Sequence, residues 1–157
     1  AARLVVHQGD DVHRAEVLEH FFDRWQSENL VINQWFVMQA TRPSADCVSD
    51  VIALTSHSAF DWRNPNKVRS LITAFAGANP TAFHALDGGG YRLLGDAVRR
   101  LQSDNPQIAA RMLAPMTRWR RYDHGQAFMR GELESIAALE ALSQDVYEVV
   151  NRSLSDN

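Results

Sequence analysis

The sequence predicts an all-α fold, a superhelical array of short antiparallel helix pairs of the α-solenoid kind. Three observations predict it. Apolar residues recur at i, i+3, i+4 and i+7 along most of the chain. Asn-Pro pairs, which cap and open helices, stand at 64–65, 79–80 and 105–106. No stretch sustains the two-residue alternation of a half-buried strand.

The elements follow in order. Leu18, Phe21, Phe22 and Trp25 form one stripe. Ile32, Trp35 and Phe36 form the next, closed by the polar Gln39. Val68, Leu71, Ile72 and Phe75 fill the helical template completely. Leu94, Val98 and Leu101 repeat it, as do Met129, Leu133 and Ile136. Val146, Val149, Val150 and Leu154 close the chain, in a helix opened by Ser143-Gln144-Asp145. Asp87-Gly88-Gly89-Gly90 is a turn, because a glycine run cannot hold a regular element. The pattern predicts about eight to ten helices, each too short to be stable alone. Stability must come from packing apolar stripes on neighbours. The Asn-Pro sites are unevenly spaced, so no strict repeat is assigned.

A length of 157 residues predicts one domain, 1–157. The chain is 45% hydrophobic and 22% charged, the composition of a globular protein. Its net charge of −3 gives no electrostatic case for nucleic acid or an anionic membrane surface. No apolar run approaches the ~20 residues of a membrane span. The opening residues 1–8 are too short and too polar for a signal peptide and read as the tail of an element that begins upstream. Cys47 is the only cysteine, which excludes an intrachain disulfide and fits a reducing cytoplasm.

Catalytic motifs are missing. None of the six histidines belongs to a His-Glu-x-x-His helix. His13 and His20 could share a helix face, but seven residues span about 10 Å along the axis. That is too far for two ligands of one zinc ion. Cys47 shares a face with Val51 and Leu54 and is expected to be a buried, inert thiol. No Gly-x-Ser-x-Gly elbow occurs, and no Gly-Lys-Ser/Thr follows the glycines 88–90. Glu132/Glu134 and Glu16/Glu19 are expected on solvated helix faces. The basic and aromatic run 118–122 is expected to lay arginine stems over Trp119 and Tyr122 at a helix end.

Two stretches are specific. One is Phe60-Asp61-Trp62-Arg63-Asn64-Pro65-Asn66-Lys67-Val68-Arg69-Ser70-Leu71-Ile72, continuing through Phe75-Ala76-Gly77-Ala78-Asn79-Pro80-Thr81-Ala82-Phe83-His84. The other is Asn105-Pro106-Gln107-Ile108-Ala109-Ala110-Arg111-Met112-Leu113-Ala114-Pro115, followed by Trp119-Arg120-Arg121-Tyr122-Asp123. With Trp35-Phe36-Val37-Met38-Gln39-Ala40 and the ending 142–148, they resemble the C-terminal region of the proteobacterial aminopeptidase N family, zinc metallopeptidases. The resemblance covers nearly the whole chain.

The resemblance implies a parent enzyme that removes N-terminal residues from peptides. Its zinc ligands, amino-terminus recognition strand and catalytic tyrosine lie in a catalytic domain that is absent from this chain. It implies no cofactor within the chain itself. It also implies an α-helical domain that closes over the active site and encloses the peptide cavity. The catalytic domain of the same chain and peptide substrates are the implied partners, and the cytoplasm the implied location. Arg69, Gln107 and Arg111 match positions that face the cavity in the family. Their spacing is compatible: Gln107 and Arg111 are four residues apart, on one helix face. An arginine fork suits peptide carbonyls and carboxylates. The alternative for Arg69 and Arg111 is salt bridging within or between helices. Lys67 and Arg63 are expected to be surface charges.

One position departs from the family pattern. Gly89 stands where a serine is expected between flanking glycines, which should loosen the turn. Two other functions are compatible with the residues. A free-standing helical scaffold would bind a protein or peptide in its concave face. An independent hydrolase would need a site that no motif reveals.

Overall fold

A computed structural model describes residues 2–8 and 10–155. Every regular element among them is helical, as the periodicity predicts. The chain divides into two compact units, Ala1–Ala82 and Phe83–Asn157.

The first unit contains α1 (Ala2–Gln8), α2 (Asp11–Trp25), α3 (Asn29–Ala40) and α4 (Cys47–Leu54). Next, α5 (Pro65–Val68) runs unbroken through a π-helical stretch (Arg69–Thr73) into α6 (Ala74–Ala78). The centre of this unit is α3, which packs on the π-helical stretch, α4, α2 and α1. It does so because Ile32, Trp35, Phe36 and Ala40 all face inward. Val51, Val68, Leu71, Ile72 and Phe75 complete the core. Two polar contacts tie the edges to α3. The Trp35 indole donates to the Leu18 carbonyl at 3.0 Å, and His7 Nε2 lies 3.0 Å from the Met38 carbonyl.

The chain passes through α7 (Pro80–Phe83) into the second unit. There α8 (Gly89–Leu101), α9 (Pro106–Met112), a 3-10 turn (Met116–Arg121), α10 (Gln126–Ala137) and α11 (Gln144–Ser155) follow. The core is formed by Leu94, Val98, Leu101, Met129, Leu133, Ile136, Val146 and Val150, mostly the positions that the spacing selects. Arg120 lies 4.1 Å over the Trp119 ring and donates to the Ser153 and Leu154 carbonyls. Its stem covers the tryptophan while its charge meets the carbonyl end of α11.

All three Asn-Pro pairs open helices. Asn64 Oδ1 accepts from the Asn66 and Lys67 amides, and Asn105 Oδ1 from the Ile108 amide. Asn79 does more. Its Oδ1 accepts from the Ala82 amide, while its Nδ2 donates to the Ala40 and Arg42 carbonyls. Ser143 behaves differently. Its hydroxyl makes no hydrogen bond, and its backbone amide donates to the Gln102 side chain instead.

Five expectations need correction. Gly89 and Gly90 do not belong to a turn, because they form the first residues of α8, with Gly88 as its cap. The stripe on α2 buries nothing completely: Leu18, Phe21 and Phe22 are half-buried and Trp25 is exposed. Glu132 is not on a solvated face, because Arg99 on α8 reaches it at 2.6 Å. Leu154 and Val149 are only half-buried. Finally, Lys67 is not a surface charge. It is 5% exposed, with its ammonium 5.6 Å from the Phe36 ring centre. Burial pushes its pKa below the ordinary lysine value.

Candidate functional site

The three residues expected to line a cavity fall in two places. Arg69 belongs to the first unit, Gln107 and Arg111 to the second.

Arg69 is positioned by the Asn64 cap and the helix it starts. It is the first residue of the π-helical stretch, a wide turn of a type often found at functional sites. Its neighbours Val68, Ser70, Leu71 and Ile72 are buried, so the backbone beneath it is held rigidly. The Arg69 side chain is exposed, and its Nη1 donates to Asn66 Oδ1 at 3.3 Å. That neutral partner leaves most of the guanidinium donors available.

Gln107 and Arg111 stand on α9, whose Asn105 cap and Pro106 fix its first turn. Ile108, Ala109 and Met112 bury the opposite side of this short helix. Gln107 and Arg111 are both exposed. Arg111 lines a groove of about 450 Å³ with Ala110, Ala114, Thr117, Val149 and Arg152. Arg152 was not singled out in the sequence. It is 41 positions from Arg111, and no local signal links α9 to α11.

The ion pairs among the described residues engage Arg14, Arg42, Arg99 and Arg130, with His13 near Glu16. Neither Arg69 nor Arg111 takes part in one. The salt-bridge alternative therefore finds no support in this geometry. Arg42 shows what a bridging arginine looks like here. It is buried, reaches Asp46 at 3.0 Å and Asp50 at 2.8 Å, and tethers the α3–α4 loop to α4.

Other reactive groups are accounted for. Cys47 is fully buried and donates to the Gln39 carbonyl; desolvation pushes its pKa up to about 11. Burial also lowers the pKa of His57 and of His84 below the ordinary imidazole value. Among the described residues no three His, Cys, Asp or Glu side chains converge to hold a metal ion. No helix among the described residues is long and apolar enough to cross a membrane.

Comparison with known proteins gives these features a family. The chain is 44% identical over 143 residues to aminopeptidase N of Escherichia coli strain K12, covering 90% of this chain and 16% of that protein. It is 40% identical over 142 residues to aminopeptidase N of Haemophilus influenzae, with coverages of 90% and 16%. Aminopeptidase N of Caulobacter vibrioides is 40% identical over 144 residues, 91% of this chain and 17% of the relative. The chain therefore spans about a sixth of the length of these curated relatives. Among solved structures, Legionella pneumophila aminopeptidase A in complex with aspartic acid superposes with a TM-score of 0.91 at 33% identity. That match covers 98% of this chain and 18% of the Legionella chain. The family described as "Domain of unknown function (DUF3458_C) ARM repeats" matches residues 1–155. The chain belongs to this family of helical repeats, and its relatives match it through the C-terminal region of aminopeptidase N.

Proposed function

We propose that residues 1–157 form the non-catalytic C-terminal α-helical domain of a zinc aminopeptidase that removes N-terminal amino acids from peptides. In this reading the domain closes over the active site, and Arg69, Gln107 and Arg111 line the peptide cavity. Zinc and the catalytic groups are supplied by the catalytic domain of the same polypeptide, and the enzyme works in the cytoplasm. The observation that carries the reading is the match to aminopeptidase N over 90% of the chain. The geometry of the two arginines supports it: both are exposed, sit on buried helix backs and form no ion pair among the described residues. Such guanidinium groups can meet peptide carbonyls or a carboxylate without first breaking a salt bridge. The Legionella relative's complex with aspartic acid is consistent with an amino-acid-sized ligand.

The test is kinetic and uses the complete enzyme. Arg69→Ala and Arg111→Ala are compared with wild type on dipeptides to tetrapeptides. The expected result is a drop in kcat/KM of about tenfold, equivalent to ~1.4 kcal/mol of transition-state binding, that depends on peptide length. Unchanged kinetics at every length for both variants would remove the cavity assignment. The free-standing scaffold has no observation of its own in its favour.

A further inference from the structure

The groove that Arg111 lines lies between α9 and α11, two helices that pack on each other. Arg152, in the last turn of α11, lines it as well. Both arginines are exposed, and neither guanidinium takes part in an ion pair among the described residues. The other polar groups of the groove are engaged with each other. Thr117 Oγ1 donates to the Ala114 carbonyl at 2.9 Å, and Ser153 Oγ donates to the Thr117 carbonyl at 3.3 Å. The carbonyl end of α11 would repel an anion, but it is already occupied. Arg120 donates to the Ser153 and Leu154 carbonyls, and the Trp119 indole donates to the Ser153 carbonyl. The polar capacity left in the groove is therefore cationic. Ala110, Ala114 and Val149 give it an apolar lining.

Two like charges on one groove repel each other. A carboxylate set between them relieves that repulsion and meets two planar hydrogen-bonding forks. The last residue of a peptide carries a carboxylate and a side chain on the same carbon, which suits guanidinium groups beside an apolar lining. An aspartate or glutamate side chain brings the carboxylate without the apolar group. The groove's volume of about 450 Å³ falls within the range of roughly 300–1,000 Å³ usual for small-ligand sites. We propose that Arg152 is a further substrate-binding residue, which together with Arg111 holds the C-terminal carboxylate of a short peptide in the α9–α11 groove. The proposal rests on the reading that Arg111 lines the peptide cavity, and it narrows the substrate class to peptides with a free carboxyl end. A contact held equally in the bound substrate and the transition state acts through KM and leaves kcat nearly unchanged.

The experiment uses the full-length enzyme and matched tripeptides and tetrapeptides ending in leucine, each as the free acid and as the amide. Wild type should favour the acid by about tenfold in kcat/KM, the lower end of what a hydrogen bond to a charged group contributes. Arg152→Gln should bring the acid-to-amide ratio close to one, Arg152→Lys should keep part of it, and Arg152→Glu should invert it. A folding defect lowers acid and amide together, so the ratio reads recognition alone. An amidated peptide with aspartate as its last residue separates the two sources of a carboxylate, and it should behave like the leucine amide. The proposal is overturned if wild type does not distinguish acid from amide, if Arg152→Gln leaves the ratio at its wild-type value, or if the aspartyl amide is favoured as strongly as the acid. Each of these results leaves the cavity reading standing as long as Arg111→Ala lowers kcat/KM. If Arg111→Ala changes nothing on any peptide, the cavity reading falls and takes the proposal with it.

Discussion

His84 Nδ1 and the Tyr91 hydroxyl lie 2.8 Å apart, joining the residue after α7 to the first turn of α8. Tyr122 stacks on the same imidazole with ring centres 4.2 Å apart, and Phe83 meets Tyr91 edge-on at 5.1 Å. A Cβ on Gly125 would collide with the Tyr91 hydroxyl, so only glycine lets α10 begin at this point. The cluster fixes where three segments of the second unit meet.

This cluster predicts a pH dependence. Burial disfavours the charged form of His84, so its pKa is lowered in the folded chain. The unfolded chain therefore takes up the proton first. The stabilisation is fully present above the unfolded pKa of about 6.5 and is lost as pH falls through the lower folded-state value. Hydrogen exchange in α8 should accelerate between pH 7.5 and 5.5 after correction for intrinsic rates. His84→Gln should flatten that change. An equal slope in both proteins assigns it elsewhere.

The glycines at 88–90, the cap and first two residues of α8, predict a sharp contrast between neighbours. Gly88 has φ of 70°, the left-handed region that glycine enters freely. A Cβ on Gly90 would lie 2.7 Å from the Phe83 Cα, so backbone would have to move. A Cβ on Gly89 would meet only the Asp87 carboxylate, at 3.2 Å, a side chain that can shift. Gly90→Ala should therefore cost about 2 kcal/mol or more. Gly89→Ser should be neutral or stabilise by up to ~1 kcal/mol through reduced freedom of the unfolded chain. Local opening free energies in α8 would measure both.

Asn79 should be the most costly single cap to remove. It is buried and holds the Ala40 and Arg42 carbonyls at 2.9 and 2.7 Å besides capping α7. Asn79→Ala strands both carbonyls and the Ala82 amide, a loss of about 3 kcal/mol. Asn105→Ala, which loses one cap bond, should cost about 1 kcal/mol. Comparable effects of the two substitutions on hydrogen exchange in their own units would contradict this ranking.

Cys47 should resist thiol reagents in the native protein. At pH 8 a thiol whose pKa is about 11 holds little thiolate, and its sulfur is covered. Modification by an aromatic disulfide should be slow in buffer and complete in denaturant. Rapid labelling in buffer would show that the α3–α4 contact opens readily.

The sequence made some of this legible and some not, for physical reasons. Caps are local, so Asn64, Asn79 and Asn105 were readable from the Pro that follows each. Stripes are local too, so the buried faces of α3, α8 and α10 and half of that of α11 were readable. Lys67 was not, because its burial depends on Phe36, which is distant in sequence. Likewise α2 shows its stripe but not what covers it. The Arg42–Asp46–Asp50 spacing of four and eight was a signal that could have been used. Of the site, the single-residue positions came from family likeness, while their exposure and lack of ion pairs came only from the structure.

The π-helical stretch at Arg69–Thr73 acts on the rod from Pro65 to Ala78 as a phase shifter. An α-helix advances 100° per residue, and a wide turn accommodates one extra residue without breaking the rod. Removing a single residue within it would restore a uniform pitch and leave α6 in nearly the same rotational register relative to α5, because the wide turn already absorbs that residue's turn of about 100°. Phe75 and Ala76 would then keep their places in the core, as would Val68. A one-residue deletion here should consequently be far less damaging than the same deletion within α3, which has no wide turn to absorb it.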